Sequence, residues 1–223
     1  MIMAAARNNA EWCAALCRSH GLRGRLGDRT WTSPVRTPRY YPDAVTLAPD
    51  VRPAEFLPGI DASPGASVKD SFADLDLAAE GFEVLFEASW IHRPPGPAPT
   101  PPAALWEPVE DPAELAGWDA LAGNPGVFRP ALLGGRDVIV LAARSGGPVR
   151  AGAVLSHGGG VVGVSNLFAA DGDLDAAWTG VLDAAHRLAP GTPVVGYESG
   201  EDLAVALRHG FTVLGPLRVW LRP

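Results

Sequence analysis

The chain has 223 residues, of which 47% are hydrophobic and 19% charged, a composition typical of a globular protein rather than a disordered or fibrous one. The net charge is −7 and no block of Lys and Arg occurs, which argues against nucleic acid as a partner. No apolar run approaches the roughly 20 residues needed to cross a bilayer, and residues 1–10 lack the apolar core of a signal peptide. We therefore expect a cytoplasmic protein without a membrane partner.

Cysteine and lysine are both scarce. Two cysteines do not suggest a disulfide framework. Of the 18 basic residues only Lys69 is a lysine, which together with the many Ala, Gly and Pro residues indicates a GC-rich genome.

The N-terminal part begins with a predicted helix that ends near His20. Asn8 or Asn9 is its predicted N-cap, because Asn8 and Glu11 have the spacing of a capping box. An aromatic-proline turn follows at residues 40–43. The other predicted elements are short: strands at 28–32, 44–47 and 82–91, a helix at 53–60, and at 67–79 a strand followed by a helix.

Residues 93–102 are rich in proline and can form neither a helix nor a strand ladder. This segment is predicted to be an extended linker. It divides the chain into an N-terminal part, residues 1–92, and a C-terminal part, residues 103–223.

The C-terminal part has clearer periodicity. Asp111 is a predicted N-cap before Pro112, and Asp173 is another, before a helix with apolar residues at 3.6-residue spacing. Glycine-rich turns join three successive strands into an antiparallel meander. The predicted elements, in order, are strand 105–109, helix 112–121, strands 137–143, 149–157 and 161–168, helix 174–188, strand 193–197, helix 201–209 and strand 211–221.

A weak repeat links the two parts. The residues Gly81 and Phe82 open the sequence GFEVL, and Gly210 and Phe211 open GFTVL. With one gap, the WIHRP that follows the first copy matches the WLRP that follows the second. Duplication of the fold and a chance match both remain open.

The order of elements in residues 103–223, together with the segments VVGYE, GF and GPLRVW near the end, resembles the GCN5-related N-acetyltransferase (GNAT) superfamily. The resemblance implies an α/β fold with a mixed, mostly antiparallel sheet flanked by helices. It also implies a truncated GNAT-like copy in the N-terminal part, if the repeat is real. The activity implied is transfer of an acyl group to an amine.

One segment departs from the family pattern. In the family, two glycines and a basic or amide residue open the helix after the meander, where backbone N–H groups hold the pyrophosphate of acyl-CoA. Here Asp171, Gly172, Asp173 and Asp175 occupy that position. Three carboxylates would repel an anion, so the sequence argues against acyl-CoA held in the usual way.

The resemblance also implies a gap between two strands that lines the reaction centre. Ser165 and Asn166 would face Tyr197 and Glu198 across it. Glu198 would be a general base for an amine, Asn166 would orient a carbonyl or amide group, and Tyr197 would donate a proton. The alternative is that Glu198 and Ser199 only cap the following helix, with Tyr197 in the core.

A polar segment in the N-terminal part occupies the position that corresponds to Tyr197 and Glu198. Lys69, Asp70 and Ser71 are candidates for substrate binding in a cleft between the two parts, as is Tyr41. The alternative is a loop whose polar groups are satisfied within the protein.

The first helix brings Cys13, Cys17 and His20 to one face, a spacing that suits zinc ligands. No fourth ligand can be identified, so buried apolar cysteines are the better interpretation and no metal is expected.

The sequence therefore predicts an atypical GNAT-like acyltransferase that acts on a small amine. Two alternatives remain: the same fold used for another biosynthetic reaction, and a non-catalytic module that binds a ligand or a protein.

Overall fold

A computed structural model gives the structure of the chain and describes residues 1–96, 104–144 and 147–223. The α-helices are α1 (Ile2–Ser19), α2 (Pro112–Leu121), α3 (Leu174–Leu188) and α4 (Gly200–Arg208). The strands are β1 (Arg25–Leu26), β2 (Thr30–Thr32), β3 (Ala44–Thr46), β4 (Ser67–Asp70), β5 (Glu83–Arg93), β6 (Trp106–Pro108), β7 (Val138–Arg144), β8 (Val149–Gly158), β9 (Val161–Ala169), β10 (Val194–Glu198) and β11 (Thr212–Leu221).

The strands of the described residues form one 11-stranded sheet in the order β1-β2-β3-β4-β11-β5-β10-β9-β8-β7-β6. Only β3 with β4 and β9 with β10 are parallel; the other pairs are antiparallel. The predicted mixed, mostly antiparallel sheet with flanking helices is confirmed, and so is the meander of β7, β8 and β9.

Helices cover both faces of the sheet, as the alternation of side chains along β9 shows. Val161 packs with Ala5 and Ala6 of α1, whereas Val162 and Val164 pack with α3 on the opposite face. Successive strand residues point to opposite faces, so Gly163 and Ser165 share the α1 face with Val161. The α1 face is the one that carries the site described below. No helix in the described ranges is both long and apolar enough to cross a membrane.

The start of the first helix was predicted wrongly. α1 begins at Ile2, and Asn8 and Asn9 lie inside it as buried residues rather than at its cap. Asn8 donates from Nδ2 to the Ser156 carbonyl oxygen at 2.8 Å and accepts from the Ser156 hydroxyl at 3.0 Å. Glu11 pairs with Arg7 at 2.8 Å instead of closing a capping box.

Two other helix predictions were wrong in the N-terminal part. Residues 53–60 form two 3₁₀ turns, Pro53–Glu55 and Leu57–Gly59. After β4, no α-helix follows. The Asp70 carboxylate accepts backbone N–H groups of residues 72, 74 and 75 at 3.0–3.3 Å, which holds this stretch as a loop.

The two parts of the chain exchange their last strands. β5 lies between β10 and β11, and β11 lies between β4 and β5. Both strands follow a left-handed glycine, Gly81 at φ 80° and Gly210 at φ 83°, and a buried phenylalanine, Phe82 and Phe211. The predicted division of the chain at residues 93–102 remains a prediction, and residues 97–102 of it lie outside the described ranges.

We predict that Gly163→Ala destabilises the protein by about 1–3 kcal/mol, because a methyl group there meets the Asn8 amide and the Ser156 hydroxyl. Those atoms are held by the hydrogen bonds between α1 and β8 and cannot easily move. Gly117→Ala is the control, because nothing lies near an added methyl group in α2. It should stabilise the helix by up to about 1 kcal/mol. Thermal melting measures both, and a neutral Gly163→Ala would contradict this packing.

Candidate functional site

The site begins where two parallel strands part. β9 and β10 pair only through Val162 with Val194 and Gly163 with Val195. Beyond these two residue pairs, β10 continues to Glu198 and is paired with β5 alone. Where β9 separates from β10, it also shifts register against β8. Between Ser165 and Phe168, β9 has one residue more than the facing stretch of β8. This β-bulge bends β9 away from its neighbour.

Asn166 lies in the bulge with φ 53°, in the left-handed region. Asparagine tolerates this conformation better than most residues that carry a side chain. The strained backbone directs Asn166 into the gap that opens between β9 and β10.

A cavity of about 300 Å³ fills this gap, and we call it the strand-gap cavity. It is lined by Asn9, Trp12, Cys13, Tyr40, Tyr41, Pro42, Lys69, Val164, Ser165, Asn166, Leu167, Tyr197 and Glu198. Six of the eight residues predicted for the site are therefore brought together: Tyr41, Lys69, Ser165, Asn166, Tyr197 and Glu198. Asp70 and Ser71 are not among the lining residues.

Lys69 reaches the cavity from the middle of the sheet. It lies in β4, opposite Val45 on one side and Val219 on the other. Its side chain is almost fully buried, with 4% exposure. The ammonium donates to Asn9 Oδ1 at 2.8 Å and lies 4.2 Å from the centre of the Tyr197 ring. This is a cation–π arrangement.

The Tyr40–Pro42 turn covers the cavity and is fixed by a buried carboxylate. Asp43 accepts from the Arg36 guanidinium at 2.8 Å, from the Thr37 backbone N–H at 2.9 Å and from the Ser67 backbone N–H at 2.9 Å. These bonds close the loop on both sides, and the Thr37 hydroxyl donates to the Tyr41 carbonyl oxygen at 2.6 Å.

Tyr41 connects this loop to the bulge. Its hydroxyl donates to Asn166 Oδ1 at 3.3 Å. Burial is the main cause that raises the pKa of Tyr41 well above its usual value. The phenol therefore stays protonated and keeps its capacity to donate.

Glu198 ends β10, and the following helix does not use it as a cap. Ser199 is at the N-cap position of α4 without a side-chain hydrogen bond to the helix. Burial first, and then the Asp202 carboxylate, raise the pKa of Glu198 to about 7. A carboxyl group with this pKa can exchange a proton near neutral pH. Tyr197 packs edge-on against Trp90, with ring centres 5.6 Å apart, while its face meets Lys69.

Asp70 and Ser71 have structural contacts instead. Asp70 holds the loop after β4, as described above, and is completely buried. The Ser71 backbone N–H donates to the Thr46 hydroxyl at 2.8 Å, and its carbonyl oxygen accepts from Trp90 Nε1 at 2.8 Å. These contacts give the two residues a place in the core of the N-terminal part.

The cysteines of α1 are buried. Burial is the main cause that raises the pKa of Cys13 to about 11 and that of Cys17 to about 12, so both remain thiols. His20 Nε2 lies 2.7 Å from the Val127 carbonyl oxygen. Across the described ranges, no three His, Cys, Asp or Glu side chains are grouped to hold a metal ion.

Asn9 is the residue that sequence reasoning missed. It was predicted as a helix cap, but it lies inside α1 and accepts the hydrogen bond of Lys69. The run of helix-forming residues at positions 2–6 was the available signal, because it allows the helix to start before Asn8. Trp12 and Cys13 line the cavity one turn further along the same helix face.

The segment between β9 and α3 is acidic. Asp173 caps α3 by accepting from the Ala176 backbone N–H at 2.9 Å, and the Asp173 N–H donates to Asp171 at 3.1 Å. Asp175, in the first turn, pairs with Arg208 at 2.6 Å and with His209 at 3.0 Å. The first turn of α3 is therefore already surrounded by the protein's own carboxylates.

Neither a protein-family model nor a curated protein matches the sequence. Solved structures do match. A GCN5-related N-acetyltransferase from Kribbella flavida superposes with a TM-score of 0.68 at 19% identity, over 98% of this chain and 95% of that one. The fold is that of the GCN5-related N-acetyltransferases.

Two further GNAT structures agree over nearly the whole chain. A protein of the GNAT family from Novosphingobium aromaticivorans gives a TM-score of 0.58 at 12% identity, with 97% of each chain covered. A GCN5-related N-acetyltransferase from Sphaerobacter thermophilus gives 0.53 at 13% identity, over 99% of this chain and 94% of that one. At these identities the likeness establishes the GNAT fold and not a substrate.

We predict that Glu198→Gln stabilises the protein at alkaline pH. The raised pKa of Glu198 means that the folded state binds more protons than the unfolded state between about pH 4.5 and 7. Wild-type stability is therefore lost as the pH rises through this window. The substitution removes this loss, so its melting temperature should exceed that of the wild type by roughly 2–5 °C at pH 8 and by little at pH 4.5.

The two matched controls are carboxylates in the first turn of α4. Asp202→Asn removes the charge that acts on Glu198 and should reduce the pH-dependent loss, whereas Glu201→Gln should not. Lys69, Tyr41, Cys13 and Tyr197 also face the cavity and stay unchanged in all three variants. A pH-independent difference between Glu198→Gln and the wild type would show that Glu198 titrates normally.

Proposed function

We propose that this protein is an acyltransferase of GNAT fold that transfers an acyl group from a thioester to a small amine. The observation that carries the proposal is the strand-gap cavity, where a partly buried carboxyl group with a raised pKa and a hydrogen-bonded amide lie at the ends of two parting strands. The cavity size of about 300 Å³ suits a small molecule rather than a protein surface.

The proposed roles follow from the chemistry of each side chain. Glu198, as a carboxylate, takes a proton from the amine, whose nitrogen attacks the acyl carbon of the thioester. The carbon–nitrogen bond forms, the carbon–sulfur bond breaks, and the thiolate takes a proton from Tyr197. Tyr197 then recovers a proton from solvent, and Glu198 releases to solvent the proton that it took from the amine. Asn166, held by Tyr41, orients the acyl group through its amide.

We further propose that the donor is held without pyrophosphate recognition at the start of α3. A pyrophosphate needs free backbone N–H groups and a positive environment. The first turn of α3 does not suit one, because Asp171 and Asp173 accept the nearby N–H groups and Asp175 adds a third carboxylate. The donor would then be recognised through its acyl and thioester end.

We propose, too, that the N-terminal part is a truncated second copy of the fold. The exchanged strands β5 and β11, each preceded by a left-handed glycine and a buried phenylalanine, support this duplication. It would explain why Lys69 of β4 lines the same cavity as Tyr197 and Glu198 of β10.

A second candidate is a non-catalytic binding module of the same fold. The acidic start of α3 favours it, since a module of this kind needs no acyl donor. Binding of an amine without any release of thiol from a thioester would support this candidate over the first.

The catalytic roles are tested by the rate of thiol release from acetyl-CoA with a panel of small amines. Glu198→Gln should lower kcat/KM by roughly 10²–10⁴-fold. Asn166→Gly removes the amide but tolerates the left-handed backbone, and should lower it by roughly tenfold or more. Glu201→Gln, on the surface of α4, should leave the rate unchanged. Equal rates for all four proteins would contradict a reaction in this cavity.

Donor recognition is tested by calorimetry with acetyl-CoA and with S-acetylpantetheine, which lacks the pyrophosphate and nucleotide. We expect dissociation constants within about threefold of each other, because the phosphates find no site. Asp171→Asn keeps the hydrogen bond and removes a charge, so it should strengthen only acetyl-CoA binding. A preference of wild type for acetyl-CoA of roughly 100-fold or more would mean that the phosphates are recognised.

A further inference from the structure

Lys69 is the only lysine of the chain and is buried without a counter-charge. Among the described residues, no carboxylate oxygen lies within 4.0 Å of its ammonium group. The partners that the structure gives it are the Asn9 amide oxygen and the face of the Tyr197 ring. Both are neutral. A buried ammonium group is costly unless it is paired or hydrogen-bonded on several sides.

The other groups around Lys69 do not supply the missing charge. Cys13 and Tyr41, which share the cavity, both have pKa values raised by burial and are neutral. Asp70 is next in sequence, but successive residues of a strand face opposite ways, and its carboxylate is bonded to the loop after β4. Glu198 lies elsewhere in the cavity, and Lys69 is not among the charges that shift its pKa.

A second polar group in the same cavity lacks a partner. The hydroxyl of Ser165 is buried and has no hydrogen-bond partner in the described structure. Ser165 lines the strand-gap cavity on the β9 side, across from the strand that carries Tyr197. Buried hydroxyl groups without partners are rare in proteins, and they often mark the position of a missing ligand or water.

An apolar groove adjoins the cavity. It has a volume of about 600 Å³ and shares Tyr41, Lys69 and Tyr197 with the strand-gap cavity. Most of its surface is apolar and includes Leu85 and Phe86 of β5, both exposed, while Arg39 and the paired Arg36 and Asp43 also line it. The Lys69 ammonium group thus lies where a polar cavity meets an apolar groove.

We propose that Lys69 and Ser165 bind a carboxylate of the substrate, so that the acceptor is a small amino carboxylate whose apolar remainder lies in the groove. This proposal rests on the proposed function, since it names the class of amine. The carboxylate supplies the negative charge that Lys69 lacks, and one of its oxygens accepts from the Ser165 hydroxyl. The amine of the same molecule then points toward Glu198.

Binding of three related probes tests the proposal without any acyl donor: L-phenylalanine, phenethylamine, which lacks the carboxylate, and 3-phenylpropanoate, which lacks the amine. We expect wild type to bind L-phenylalanine at least roughly tenfold more tightly than phenethylamine. Lys69→Met, similar in length but uncharged, should abolish this ratio. Lys69→Arg should keep part of it, and Ser165→Ala should reduce it.

A second readout needs no variant. Protein labelled with ¹⁵N-lysine carries one labelled side chain, so its nuclear magnetic resonance signal reports on Lys69 alone. L-phenylalanine and 3-phenylpropanoate should both shift this signal, and phenethylamine should not. Equal binding of the amino acid and the amine by wild type would overturn the proposal. So would a preference that persists in Lys69→Met, or a failure of both carboxylate probes to bind at millimolar concentration.

The outcomes separate this inference from the proposed function. Suppose that the protein prefers L-phenylalanine to phenethylamine but releases no thiol from any thioester. This result would contradict the proposed acyltransferase activity and still support the carboxylate site. Thiol release with simple amines, at equal rates in wild type and Lys69→Met, would support the acyltransferase activity and contradict the carboxylate site.

Discussion

The site depends on the parting of β9 from β10 after two residue pairs. A β-bulge around Asn166 turns β9 away, and β10 keeps its pairing with β5 as far as Glu198. Backbone hydrogen bonds that would otherwise close the sheet are given up at this point, and a cavity takes their place. Polar side chains at both strand ends then face one another instead of being separated by a strand ladder.

The cavity is also shaped by buried polar contacts between distant segments. Asn8 ties α1 to β8 through Ser156, and the next residue, Asn9, receives the hydrogen bond of Lys69 from β4. Asp43 fixes the loop that carries Tyr41 over the gap. Each bond is worth only about 1 kcal/mol net, but breaking one leaves a buried group unsatisfied at a higher cost. These contacts therefore specify where the side chains lie more than how stable the protein is.

Much of the fold could be predicted from the sequence, because the C-terminal part has strong local signals. The Asp111 cap before Pro112 marks α2 at its observed start, and the periodicity after Asp173 marks α3. The N-terminal part gave weaker predictions, because long-range contacts decide its structure. Asn8 and Asn9 have the sequence of a cap, yet Asn8 bonds to Ser156 and Asn9 to Lys69, each more than 50 positions away. Asp70, predicted to bind substrate, holds a local loop where the sequence predicted a helix, and it does not line the strand-gap cavity.

The gap residues were identified through a family resemblance and not through a motif of their own. Ser165, Asn166, Tyr197 and Glu198 are unremarkable in sequence, because the bulge that brings them together has no clear signature. Lys69 was noticeable as the single lysine and as part of the polar segment that corresponds to Tyr197 and Glu198. Its burial beside Tyr197 follows from the pairing of β4 with β3 and β11. Only the tertiary structure brings the ends of β9 and β10 to face one another, and no local sequence pattern predicts this.

The reaction centre between β9 and β10 is tested most directly by a crystal structure of the protein with a bound acyl thioester. We predict electron density for the acyl group in the strand-gap cavity, with its carbonyl oxygen near Asn166 and its carbon accessible from Glu198. Density for the thioester at another place on the protein, in crystals of an enzyme that releases thiol in solution, would contradict a reaction centre between β9 and β10.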